Sequence, residues 1–93
     1  MKRPHPSEVA GDAQAVDAIR NATYFRASVF VGRGTYITAD AITVRGALEK
    51  ALLLEADERA YTRRALIYAV SPEGHQTLIR QELIDKLRRL SCL

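Results

Sequence analysis

The 93-residue chain has no tryptophan, one cysteine, one methionine and two histidines. A single cysteine, Cys92, leaves no disulfide within one copy and suits a reducing cytosol, so stability has to come from packing. No apolar run approaches the roughly 20 residues of a membrane-spanning helix. The opening Met1-Lys2-Arg3-Pro4-His5-Pro6 has charge but no apolar stretch behind it, which argues against a secretory signal and for a cytoplasmic protein. His5 and His75 have no further histidine, cysteine or paired carboxylate at ligand spacing, whereas zinc typically takes three or four protein ligands. No metal and no cofactor is expected.

Nucleophile chemistry is equally poorly provided for. Ser28, Ser71 and Ser91 lack a Gly-x-Ser-x-Gly elbow and a matching base. Glu49, Glu55, Asp57 and Glu58 follow one another along a single helical stretch, whereas acid–base catalysis holds two carboxyls across a cleft. Gly32-Arg33-Gly34 joins two strands, while phosphate loops run from a strand into a helix. These absences point away from an enzyme.

What is present is a clear change of apolar period. Residues 23–31 and 35–41 alternate around Gly32-Arg33-Gly34, which predicts a hairpin. Phe25, Ala27, Val29 and Val31 face one way and Tyr24, Arg26, Ser28 and Phe30 the other. Ile37, Ala39 and Ala41 likewise oppose Tyr36, Thr38 and Asp40. From Thr43, a plausible N-cap, to about residue 58 the spacing is helical. Val44, Ala47, Leu48, Ala51, Leu52 and Leu54 form its stripe. Leu53 falls on the polar side and Glu55 projects toward the apolar one.

Residues 64–70 scarcely alternate, as in a central strand covered on both faces or nearly so. A turn at Ser71-Pro72-Glu73-Gly74 follows, then a short fourth strand at 75–79 or an early start to the last helix. Residues 80–90 are helical, with Ile79, Leu83, Leu87 and Leu90 on one stripe and Ile84 beside it. Glu82–Lys86 and Asp85–Arg89 stand at i,i+4 on that helix.

These pieces predict an α+β fold: an antiparallel sheet of three to four strands, order 2-1-3-4, with the central helix packed on one face and an amphipathic C-terminal helix. Residues 22–93 form the compact domain. Residues 1–21 are expected to be flexible or partly helical, with Val16 and Ile19 on one side of a weak helix capped by Asp12. The far sheet face, with Tyr24, Phe30 and Tyr36, needs cover from the C-terminal helix or a second copy.

The net charge of +3 is mild, and its largest share lies from Arg80 onward. Nucleic acid is thus a possible partner through Arg33, Lys86, Arg88 and Arg89. About five phosphate contacts by the chain's basic residues would give a log–log salt slope near −4.5 on duplex DNA. Leu53, Leu83, Leu87 and Leu90 are the candidate interface, since burying each is worth roughly 1.5–3 kcal/mol. The favoured expectation is a non-catalytic interaction module that forms a homo-oligomer or holds a protein partner. A nucleic-acid-binding or antitoxin-like regulator is the alternative.

The antitoxin reading has its own source. Gly34-Thr35-Tyr36-Ile37-Thr38 followed by Thr43-Val44-Arg45-Gly46-Ala47-Leu48-Glu49-Lys50-Ala51 resembles the hairpin-then-helix of HicB-type antitoxins. In that family a Thr-capped helix with Ala and Leu at this spacing follows the second strand. The likeness covers under a third of the chain, and Asp40-Ala41-Ile42 stands where the family has a Pro-Gly-Cys stretch. The resemblance implies a regulator.

Overall fold

The computed structural model describes residues 12–61 and 64–91, with side chains from residue 13 to residue 90. The tail of residues 1–11, the proposed cap of Asp12, and Arg63, Ser91 and Cys92 as side chains lie outside what is described. Element order is α1 (Asp12–Asn21), β1 (Tyr24–Gly32), β2 (Thr35–Ala41), α2 (Val44–Glu55), β3 (Leu66–Val70), β4 (Gln76–Leu78) and α3 (Gln81–Ser91). The four strands form one antiparallel sheet in the order β2-β1-β3-β4.

Alternation builds β1 and β2, and the turn between them uses left-handed backbone at Gly32 (φ 91°), Arg33 (φ 56°) and Gly34 (φ 71°). Glycine takes that conformation at no steric cost, and Arg33 holds it between two glycines. The ladder shifts register between Phe30 and Gly32, so the strand pair is irregular at its tip.

Thr43 caps α2 from extended backbone, its Oγ1 accepting the Gly46 N–H at 3.0 Å. A Cβ at Gly46 would stand 3.0 Å from that oxygen and 3.2 Å from the Ala41 Cβ, so glycine lets the helix start close against the end of β2. α2 stops at Glu55, earlier than the periodicity suggests. The Ala56 N–H donates to the Leu52 carbonyl and the Asp57 N–H to that of Leu54, both at 3.1 Å, and the Asp57 carboxylate then accepts the Arg59 N–H at 2.8 Å. That turn sends the chain away from the helix axis.

All three helices lie on one face of the sheet. Phe25, Ala27, Ile67 and Ala69 point to that side and join Ala47, Leu48 and Ala51 of α2 and Ile84 of α3 in a single buried cluster. Leu83 and Leu87 pack against it, as do Ala18 and Ile19 of α1. The buried side of α1 is therefore Ala15, Ala18 and Ile19, while Val16 points outward. Alanines at i and i+3 beside Ile19 at i+4 let the helix sit close without a large apolar stripe. On α2 the stripe excludes Leu52, which is more than half exposed, because the contact line runs through 44, 47, 48 and 51.

Candidate interaction surface

Period-two alternation fixes what the other sheet face carries. β1 contributes Tyr24, Arg26, Ser28 and Phe30, and the register places Tyr36, Thr38 and Asp40 of β2 beside them. On the opposite flank β3 places the half-buried Leu66 and Tyr68 and the buried Val70, followed by Leu78 of β4. No helix among the described residues packs on this face. β3 therefore lacks alternation for a different reason than burial under helices on both sides. Its outward residues sit among aromatic rings instead.

Those rings are most of what the chain has. Of four tyrosines and two phenylalanines, only Phe25 points to the helices. Phe30 meets Tyr36 with centroids 5.2 Å apart at a tilt of 58°, and Tyr61 edge-on at 5.7 Å and 81°. Tyr61 reaches the sheet from the loop after α2, where its N–H donates to the Phe30 carbonyl at 2.7 Å. It stays 77% exposed. Phe30, Tyr36, Ser28, Leu66 and Arg64 line a shallow depression of about 290 Å³ with the buried Ser28 among its walls. Burial pushes the Tyr68 phenol up from its ordinary value, and the nearby Tyr36 adds to that.

The cations on this face are already matched. Arg26 and Asp40 are register partners, and Nε and Nη2 of the guanidinium donate to the two carboxylate oxygens at 2.9 and 3.2 Å. The hydrogen bond from Arg26 holds the Asp40 carboxyl below its usual value. Arg26 also lies 5.5 Å from the Tyr24 ring centroid and donates to its hydroxyl at 3.3 Å. Beside the depression, Arg64 donates to Asp85 at 2.9 and 3.1 Å. The surface is thus aromatic and locally neutral.

The residues singled out from sequence are scattered by comparison. Leu83 and Leu87 face the chain's own core, whereas Leu53 (68% exposed) and Leu90 (58% exposed) stay at the surface. Arg33, Lys86 and Arg89 are exposed. Arg88 is turned inward, its Nη2 at 3.3 and 3.5 Å from the Glu55 carboxylate. Glu55 Oε2 also accepts the Ala65 N–H at 2.7 Å, which explains an acidic residue facing the apolar side of α2. On α3, Asp85 pairs with Arg64 and Glu82 with Arg80, in place of the expected Arg89 and Lys86. Asp85 is held by a tertiary neighbour 21 residues away and Glu82 by the residue two before it, so neither turns to the side chain one helical turn on.

Sequence reasoning missed Tyr68 and Tyr61 as members of the surface. The missing alternation in β3 was the available signal for Tyr68. Tyr61 lies in an aperiodic loop and had none. The described residues contain no group of three His, Cys, Asp or Glu placed to hold a metal ion. No described helix is long and apolar enough to cross a membrane. No protein-family model, curated protein or solved structure matches this chain.

Proposed function

We propose that this chain is a non-catalytic binding module that self-associates, with the helix-free face of its sheet as the contact surface. One observation carries the reading: all four tyrosines and Phe30 lie on or against the face that the helices leave open. Antiparallel sheets with one solvated face normally alternate polar residues outward. Here Leu66, Tyr68 and Phe30 take those positions. A contiguous apolar patch on a small domain is a site of association. Tyrosine suits such a role, since it supplies contact area at low entropy with a polar tip.

The non-catalytic part has separate support. The described carboxylates with displaced pKa values are all pushed down by hydrogen bonds, Asp40 by Arg26, Asp57 by Arg59, and Glu73 by its own backbone N–H and then by Ser71. None is held protonated as a general acid would be. A cytoplasmic setting agrees with the lone cysteine. A nucleic-acid-binding or antitoxin-like regulator is the second reading, supported by the exposure of Arg33, Lys86 and Arg89.

Light-scattering chromatography of untagged protein, with absorbance at two wavelengths, separates these readings. The expected result is a mass of twice 10.4 kDa and a protein-only spectrum. A single-copy mass at every concentration refutes self-association. A nucleic-acid spectrum that disappears in salt favours the second reading.

A further inference from the structure

The two edges of the sheet differ. β4 has three residues and leads almost directly into α3, so it offers little backbone for pairing. β2 has seven residues and bonds to β1 along one side, while its other side meets no strand among the described residues. Long edges of this kind are normally blunted by lysine, proline, a bulge or an uncompensated inward charge. β2 has no lysine, proline or glycine. Its one charge, Asp40, is neutralised by Arg26, and the ladder irregularity lies at the hairpin tip.

We propose that β2 of one copy pairs antiparallel with β2 of a second copy about a two-fold axis at Thr38, fusing two four-stranded sheets into one. This rests on the self-association part of that reading alone: it sets the seam at the β2 edge that borders the open face, and leaves the face itself uncovered and enlarged. Full overlap of Thr35–Ala41 with itself sets Thr38 against Thr38, Tyr36 against Asp40 and Ile37 against Ala39. Opposed side chains share a face, so the two open faces become continuous and the two helical layers stay together on the other side. The aromatic surface of one copy then runs on into that of the next.

The charges select the occupant and the register. The two Asp40 carboxylates stand about 14 Å apart along the strand, two residues either side of the axis. Centring the pair on Asp40 would oppose them directly, which is unfavourable. Ile42, 82% exposed just past β2, falls opposite Gly34 of the second copy, where no side chain obstructs it. A neutral, self-matching strand of this kind fits another copy of itself better than a charged peptide.

The test uses the full chain, combining its mass over a concentration series with residue-resolved amide exchange on either side of the midpoint. The mass is expected to double, and the β2 amides turned away from β1 should slow by about tenfold or more in the dimer. Thr38→Lys, at an exposed site, sets two ammonium groups across the axis and should restore the monomer while β1 and β3 exchange as before. Doubling of mass with those β2 amides still fast overturns the strand pairing and leaves self-association standing. Persistence of the dimer in Thr38→Lys also overturns the pairing. A single-copy mass throughout overturns both.

Discussion

At Glu55 a carboxylate occupies a position that helical spacing assigns to an apolar side chain, and three elements depend on it. It ends α2, accepts the Ala65 N–H ahead of β3 and pairs with Arg88 of α3. Both charged side chains are largely withdrawn from water, at 14% and 22% exposure, so screening is limited. Glu55→Ala should lower stability by about 2–3 kcal/mol, and Glu55→Gln, which keeps an acceptor for Ala65, by about half as much. Thermal melts would then drop by roughly 10 °C or more for the alanine variant. A loss under about 0.5 kcal/mol would show that the tie is not structural. Asp57 gives the acid side of the same argument. Hydrogen bonds from Arg59 lower its pKa from 3.8 to about 2. Because the folded value lies below the unfolded one, its contribution is present above about pH 4 and is lost as pH falls toward 2. Asp57→Asn should flatten that limb in denaturant titrations run at stepped pH. An unchanged acid limb would refute the assignment.

At the scale of elements, α3 divides its apolar residues between two tasks. Ile84 is 1% exposed, with Leu83 and Leu87 packed beside it on the core, whereas Leu90 is 58% exposed. Ile84→Ala should cost about 3 kcal/mol through the cavity it leaves, and Leu90→Ala no more than about 0.5 kcal/mol. Urea midpoints at unchanged slope would show the difference, and equal effects would mean that α3 is not docked as described. Strand order was legible in the sequence because alternation fixes the hairpin and the helical return leaves one economical place for β3. The open face was half legible. Tyr24, Phe30 and Tyr36 marked it, but the C-terminal helix remained a possible cover until Ile84 was seen to join Leu48 and Phe25. Leu52 was misplaced because a wheel tolerates a flanking leucine that the actual contact line passes by. The Arg64–Asp85 and Arg88–Glu55 pairs join residues far apart in sequence, which no local period encodes.

For the whole molecule, the deciding quantity is how many cations remain available to a polyanion. Arg26 is matched by Asp40, Arg59 by Asp57, Arg64 by Asp85, Arg80 by Glu82 and Arg88 by Glu55. Of the four candidate polyanion contacts this leaves Arg33 at the hairpin tip and Lys86 and Arg89 on α3, while Arg20, Arg45 and Lys50 are exposed elsewhere, on α1 and α2. Phosphate contacts by those three candidates alone give a salt slope of about −2.7 on duplex DNA, where five would give about −4.5. A slope that shallow accompanies weak, sequence-independent attachment. Labelled duplex and single-stranded DNA titrated at several salt concentrations should therefore show weak binding with the shallow slope. Joint replacement Lys86→Glu and Arg89→Glu should remove that binding and leave the self-association mass unchanged, because neither residue touches β2 or the aromatic face. A slope near −4.5 would mean that further cations join the contact, whether the exposed ones on α1 and α2 or paired arginines that exchange their carboxylates for phosphate, and the regulator reading would then displace the one argued above. Loss of the dimer on the same replacement would instead place the self-association surface on α3.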